Sequence, residues 1–150
     1  MRFISHRGNL NGANPNLENH PDYILESINK GYDCEIDIWF INNVLYLGHD
    51  SPQYKIELSF LNSIKSYLWI HCKNIDAVLF FRLKEFNFFW HENDKVTLTS
   101  QKNIWAFPGN QPIEMSIAVM PEIFNEDNLN KCHGICSDYI LKYKKEYEKI

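Results

Sequence analysis

Short strand-like segments alternate with helix-like segments along the first 91 residues, and this alternation restricts the fold more than any other feature of the chain. Runs of β-branched and other apolar residues predict strands over 2–5, 33–41, 68–73 and 87–91, with a turn and a returning strand inside 42–50. The spacing of apolar residues predicts helices over 21–31, 56–67 and 74–86. Strands and helices that alternate in this way are typical of an α/β protein.

The alternation weakens after residue 95, where strands follow one another with fewer helices between them. We predict two strands joined by a turn in 95–109, a strand over 116–122, a helix over 124–132, a strand over 134–138 and a closing helix over 139–150. About eight strands with fewer than eight helices predict a compact (β/α)8 TIM-type barrel with several outer helices shortened or missing, because a complete barrel takes ~250 residues. We expect residues 1–150 to form one domain.

The composition limits the class of protein and of partner. Hydrophobic residues make up 45% of the chain, which excludes a disordered protein, and a net charge of −4 with interspersed acids and bases argues against a nucleic-acid partner. No apolar run approaches the ~20 residues of a transmembrane helix, and the amino terminus lacks the pattern of a signal peptide. We therefore expect a cytoplasmic protein without a transmembrane segment, and the sequence leaves its oligomeric state open.

The cysteines are expected to be reduced thiols, because a chain of this size without an export signal rarely carries disulfides. They are Cys34, Cys72, Cys132 and Cys136. Cys132 and Cys136 lie close to His133, but a structural zinc site needs four well-spaced ligands. We assign no zinc site to this cluster.

The strand over 33–41 carries two acids on one face. Successive side chains of a strand point to opposite faces, so Glu35, Asp37 and Trp39 share one face while the apolar residues between them meet the helices. The two acids are then about 7 Å apart along the strand, from a rise of ~3.3 Å per residue. Two carboxylates that face one space repel each other unless a cation lies between them, so we predict a divalent metal ion there.

The strand over 68–73 repeats this parity and turns His71 and Lys73 toward the two acids. His6 ends the first strand and His49 ends the returning strand, so both imidazoles are expected near the same edge of the sheet. Barrel enzymes place their catalytic residues at the carboxyl ends of the strands. We predict that His6 and His49 transfer protons, that His71 is a third metal ligand and that Lys73 binds an anion.

Each of these side chains also has a simpler interpretation. The two acids are alternatively solvated carboxylates on an exposed strand face, and the lysine alternatively neutralises an acid. The histidines His6, His49 and His71 are alternatively capping or core residues. Trp90, His91 and Trp105 lie near the ends of later strands, where they either wall a pocket and stack on a sugar or glycerol or pack in the core.

Four short motifs in a fixed order resemble the glycerophosphodiester phosphodiesterase family, which is part of the phosphatidylinositol phospholipase C-like barrel superfamily. They are His6-Arg7-Gly8 after the first strand, Glu18-Asn19, Glu35-x-Asp37 and His49-Asp50. The next motif of the family is Glu-x-Lys on the third strand, and here His71 stands where the family has glutamate while Lys73 matches. The resemblance covers residues 3–73 and fades in the second half of the chain.

The resemblance implies a barrel enzyme that hydrolyses a small phosphodiester, such as a glycerophosphodiester, by two-histidine catalysis. It implies one divalent metal ion on Glu35, Asp37 and His71. Mg²⁺ or Ca²⁺ suits the oxygen ligands, and Mn²⁺ or Zn²⁺ suits the imidazole. It also implies that Arg7 contacts the phosphate. Glu18 and Asn19 are expected to belong to the substrate-binding side of the site, where they brace the His6-Arg7 loop, although Asn19 is alternatively a simple helix cap. The alternative function is an inactive phosphate- or headgroup-binding module.

Overall fold

The computed structural model describes residues 1–148. The strands are β1 (Arg2–His6), β2 (Asp33–Ile41), β3 (Val44–Leu47), β4 (Tyr54–Ile56), β5 (Leu68–Cys72), β6 (Phe88–Phe89), β7 (Val96–Leu98), β8 (Ile104–Ala106), β9 (Ile117–Val119) and β10 (Gly134–Ser137). The α-helices are α1 (Pro21–Asn29), α2 (Leu58–Ser63), α3 (Ile75–Phe81) and α4 (Ile140–Tyr147). Short 3-10 turns lie at Lys65–Tyr67, Pro121–Ile123 and Leu129–Lys131.

The ten strands form one curled, mixed sheet. Parallel pairings join β6, β5, β2, β1, β10, β9 and β8 in that spatial order. Strand β7 pairs antiparallel with β8, and β3 and β4 form antiparallel pairs beside the carboxyl half of β2. Within residues 1–148, no strand pairing joins β6 to β8, so the sheet is open like half a barrel.

The predicted (β/α)8 TIM-type barrel is therefore wrong. Helices account for only 26% of the residues that the structure describes, and they do not alternate with strands around a closed barrel. The physical reason lies in the later connections. Pro108, Gly109 and Pro112 interrupt the segment between β8 and β9, and Asn125 and Asn128 adopt left-handed backbone angles with φ of 51° and 56°.

The left-handed asparagines also explain why the helix predicted over 124–132 is absent from the described structure. Only the 3-10 turn Leu129–Lys131 forms in that segment. Asparagine tolerates left-handed angles because its short polar side chain bonds locally, and such residues end helical structure. The closing helix is present as Ile140–Tyr147, and residues 149–150 of the predicted span lie outside the described residues.

The alternation predicted for β2 and β5 is confirmed, and it separates the two faces of the sheet. On the outer face, Cys34, Ile36 and Ile38 pack with Leu68, Ile70 and Cys72 against buried residues of α1, α2 and α3. The concave face holds a second core, formed by Ile4, Trp69, Phe89, Trp105, Ile117, Val119 and Cys136. The Trp69 and Trp105 rings stack with their centroids 5.6 Å apart, so side chains fill the space that β6 and β8 leave without a strand pairing.

The four cysteines are free and buried in the described structure, in agreement with the expectation of reduced thiols. Within residues 1–148, no helix combines the length and the apolar character that a membrane crossing requires.

Candidate functional site

A cleft of about 780 Å³ opens at the carboxyl ends of the parallel strands. Most of the predicted site residues line it: His6, Arg7, Glu18, Glu35, His49, His71, Lys73, Trp90 and Trp105. Asp37 contacts three of these side chains, and Asn19 bonds to Asp37. The structure therefore brings the predicted residues together at one end of the curled sheet.

Asp37 is the most enclosed of the acids, with 0% exposure. Its Oδ2 lies 3.1 Å from Arg7 Nε, and its Oδ1 lies 3.0 Å from His71 Nδ1 and 3.6 Å from Lys73 Nζ. Burial opposes ionisation of Asp37, but His71, Arg7 and Lys73 outweigh that cost and hold the pKa of the carboxyl well below its usual range. Asp37 is therefore ionised across the physiological pH range.

Glu35 lies beside Asp37 in a different electrostatic environment. Its Oε1 is 4.0 Å from His71 Nδ1, and its Oε2 is 3.9 Å from His6 Nε2. Burial and the charge of Asp37 raise the pKa of Glu35 above its ordinary value. Without a cation beside it, the ionised Glu35 carboxylate therefore destabilises the folded protein.

Two observations fit a cation between these acids. Glu35 Oε2 is buried without a hydrogen-bond partner, which is rare for a carboxylate oxygen in a folded protein, and buried Asp37 Oδ1 has only its ion-pair contacts with His71 and Lys73. One ligand atom from each of Glu35, Asp37 and His71 falls within 4.8 Å of the other two. Two carboxylates and an imidazole form a donor set that Mn²⁺ and Zn²⁺ accept as well as Mg²⁺. The residues present therefore fit a divalent metal ion.

His6 is oriented by a carboxylate from the far end of the chain. Its Nδ1 lies 2.7 Å from Asp138 Oδ1, so a hydrogen bond there leaves Nε2 directed at Glu35. Burial opposes protonation of His6, but the bond to Asp138 and the charge of Glu35 outweigh it, and the pKa of His6 is raised. Asn9 Nδ2 also donates to Asp138 Oδ1, at 2.8 Å, which fixes the carboxylate.

His49 has the same arrangement in a more open position. Its Nδ1 lies 2.7 Å from Asp50 Oδ1, which leaves Nε2 free. Partial burial lowers the pKa of His49, and the positive charges of Arg7 and Lys73 lower it further against the opposing effect of Asp37. The cleft thus holds one imidazole that favours its proton and one that favours the neutral form.

Gly48 determines where His49 lies. Its backbone φ is 145°, its N–H donates to the Asp37 carbonyl at 3.1 Å, and its own carbonyl accepts from Trp39 Nε1 at 2.7 Å. A Cβ at this position would collide with the carbonyl oxygen of Ser51. The chain therefore reaches His49 through a turn that only glycine permits.

Gly48→Ala should consequently destabilise the fold by about 1–3 kcal/mol and displace His49. Urea unfolding measures the first effect, and the chemical shifts of the His49 ring measure the second. Gly12→Ala is the matched control, since Gly12 also has a positive φ, of 119°, but its added Cβ would meet only side-chain atoms of Tyr139, at 3.5 Å or more. Equal stability of the two variants would contradict the role given to Gly48.

The Glu18-Asn19 pair braces the loop after β1. Glu18 accepts from Arg7 Nη1 at 3.1 Å and from Asn9 Nδ2 at 2.9 Å. Asn19 Nδ2 donates to Asp37 Oδ2, and Asn19 Oδ1 accepts from the Asp37 backbone N–H, both at 2.9 Å. The alternative role of Asn19 as a helix cap is wrong, because His20 caps α1 and accepts from the Asp22 backbone N–H.

The predicted aromatic residues occupy two different levels of the cleft. Trp105 lies in the floor, 2% exposed, and Trp90 lies at the rim, 37% exposed. His91 lies between them in depth, with its ring centroid 4.5 Å from that of His71 and 3.8 Å from that of Phe107. Burial and the charge of His71 lower the pKa of His91 to about 4.

Sequence reasoning missed Asp138, Phe107 and Met120, which also line the cleft. Asp138 had a usable signal, because it is the last residue of the strand predicted over 134–138 and therefore lies at the carboxyl end of β10. Its contact with His6 depends on the pairing of β10 with β1, which local patterns do not determine. No sequence pattern points to Met120, because its position in the cleft depends on a left-handed backbone angle, φ of 44°, that methionine rarely adopts.

No protein-family model, curated protein or solved structure matches this chain.

Proposed function

We propose that the chain is a divalent-metal-dependent phosphodiester hydrolase of the glycerophosphodiester phosphodiesterase type, acting on a small phosphodiester. One observation carries the proposal. Two histidines, each with Nδ1 on a carboxylate, line the same cleft as the Glu35, Asp37 and His71 cluster. Proton transfer and charge neutralisation are the two requirements for attack on a phosphodiester anion, and these groups supply both.

Arg7 and Lys73 are the groups that bind the phosphate. Both line the cleft, and their side chains are only 18% and 15% exposed, so their charges act with little screening by solvent. Glu18 and Asp37 hold the Arg7 guanidinium in place before a ligand arrives. A substrate phosphate therefore meets cations that are already oriented.

The different proton affinities of the two histidines assign their roles. As the oxygen of the attacking hydroxyl group forms its bond to phosphorus, Nε2 of the neutral His49 imidazole accepts the proton of that hydroxyl group. Protonated His6 donates its Nε2 proton to the departing ester oxygen as the old bond breaks. One proton is taken and one is returned, so the next cycle needs only an exchange of protons with water.

Glu35, Asp37 and His71 would hold the metal ion. When bound, a divalent ion neutralises negative charge on the phosphate and stabilises the charge that develops in the transition state. An ion there would also give Glu35 Oε2 the partner that it otherwise lacks.

One observation favours a second candidate, a phosphate-binding module without turnover. Arg7, His71 and Lys73 already contact Asp37, so these groups compete with a metal ion for the same carboxylate. If Asp37 stays paired with these three groups, the divalent ion does not bind. The cleft then still has its cationic side chains for a phosphate group. The two candidates therefore differ in their response to metal.

Hydrolysis of bis-p-nitrophenyl phosphate tests the proposal. We expect turnover with Mn²⁺ or Mg²⁺, loss of at least nine-tenths of the rate on chelation, and recovery when metal is restored. Asp76→Asn is a control variant, since Asp76 lies in the first turn of α3 and outside the cleft. A rate that chelation leaves unchanged would contradict the metal-dependent mechanism, and phosphate binding without turnover would favour the second candidate.

A further inference from the structure

The cleft has two chemically different halves. The charged half comes from β1, β2 and β5 and contains Arg7, Glu35 and Lys73. The other half, which we call the aromatic wall, comes from β6, β8 and the residues that follow them. The aromatic wall consists of Phe89, Trp90, His91, Trp105 and Phe107. The proposed chemistry uses the charged half and leaves the aromatic wall without a role.

The rings of the aromatic wall support one another. The centroids of Phe89 and Trp105 are 4.7 Å apart, and those of His91 and Phe107 are 3.8 Å apart. Phe89 and Trp105 are buried and form the backing, whereas His91 and Phe107 are half-buried and Trp90 is exposed at the rim. The accessible part of the wall therefore consists of aromatic rings that the buried side chains of Phe89 and Trp105 support.

This half of the cleft is lined by aromatic and apolar side chains. His91 packs against Phe107, and Val119, Met120 and Pro108 continue the same lining. Glu92 is the charged neighbour along the chain, and it is exposed at the rim. A ligand group that lies against the wall finds apolar contacts but no buried partner for a charge.

The cleft also has room for such a group. Its volume of about 780 Å³ is typical of a small-molecule site and far exceeds the space of one phosphate group. Met120 borders this space, and its flexible side chain adapts to the shape of a ligand. A phosphodiester bound at Arg7 and Lys73 would extend one of its ester groups along the aromatic wall.

We propose that the aromatic wall is a subsite for an uncharged ring, so that the substrate is a phosphodiester with one ester group of this kind. Aryl groups and pyranose sugars share the required chemistry, which is a flat apolar face that stacks on aromatic side chains. An open-chain group such as glycerol has no such face. The inference rests on the proposed function only for the position of the phosphate.

Three phosphate monoesters test this inference by isothermal titration calorimetry in the presence of Mn²⁺. Phenyl phosphate and glucose 1-phosphate carry a ring, and glycerol 1-phosphate does not. We expect at least one ring-bearing probe to bind tenfold more tightly than glycerol 1-phosphate, and the tighter of the two identifies the kind of ring. Equal affinities for all three probes, or no binding by either ring-bearing probe, would overturn the subsite.

A pair of variants locates the effect on the wall. Phe107→Leu keeps an apolar side chain but removes the ring, so it should weaken the ring-bearing probe about three- to tenfold and change glycerol 1-phosphate binding less than twofold. Lys73→Met should weaken all three probes by a similar factor. Unchanged binding of the ring-bearing probe to Phe107→Leu, with the wild-type melting temperature, would also overturn the subsite.

These outcomes separate the subsite from the proposed function. A preference for the ring without hydrolysis of any phosphodiester would leave the subsite standing and count against the enzyme. Hydrolysis of a phosphodiester without a preference for the ring would support the enzyme and count against the subsite.

Discussion

Replacing His6 or His49 with alanine should lower phosphodiester hydrolysis by about 10²- to 10⁴-fold while the protein stays folded. Each imidazole handles one of the two protons of the reaction, and His71, which also has Nδ1 beside a carboxylate in this cleft, is assigned to the metal ion. Initial rates with bis-p-nitrophenyl phosphate measure the loss, and circular dichroism reports the fold. His133→Ala is the matched control, because His133 lies outside the cleft.

The same assignment predicts a bell-shaped dependence of the rate on pH. The lowered pKa of His49 places the acidic limb below the ordinary value of 6.5, where the base becomes protonated. The raised pKa of His6 places the alkaline limb above 6.5, where the acid loses its proton. A wild-type rate in either alanine variant would remove the proposed acid and base.

Asp37→Asn and Glu35→Gln should both abolish metal binding, but only Asp37→Asn should lower the stability of the fold. Ionised Asp37 stabilises the fold because Arg7 and Lys73 are mostly buried beside it, so the asparagine variant should lose on the order of 3 kcal/mol. Ionised Glu35 is disfavoured by burial and by Asp37, so the glutamine variant should be at least as stable as the wild type without metal.

Urea unfolding at pH 8 with a chelator measures both effects. The pKa of Asp37 is lowered, so its stabilisation is fully present above its ordinary value of 3.8 and is lost only as the pH falls. The pKa of Glu35 is raised, so the fold loses stability as the pH rises from the ordinary value of 4.5 to the raised value, and the cost is fully present above it. Calorimetric titration with Mn²⁺ then measures metal binding. Wild-type stability of Asp37→Asn, or a large loss in Glu35→Gln, would contradict the charge distribution described for the cluster.

The part of the site that lies on β2 and β5 could be predicted from the sequence because strand alternation determines it locally. Once Cys34, Ile36 and Ile38 are assigned to the helix-covered face, Glu35 and Asp37 must share the opposite face. The pairing of His71 with Asp37 follows from the parallel register of β5 on β2. A pattern of period two thus places the three candidate ligands on one face of the sheet, and the pairing of β5 with β2 brings them together.

The rest depends on contacts between distant segments. Asp138 reaches His6 across 132 positions of the sequence, and only the pairing of β10 with β1 brings them together. The barrel was predicted wrongly because counting strands does not reveal whether they close, and β6 has only two residues with which to pair. The helix predicted over 124–132 does not form, because Asn125 and Asn128 adopt left-handed backbone angles.

The most direct test of the proposed metal site is anomalous diffraction from crystals soaked in MnCl₂. We expect one strong peak within coordination distance of Glu35, Asp37 and His71, in the cleft that His6 and His49 line. A map without a peak at these three residues, or with manganese only on exposed acids elsewhere, would contradict it.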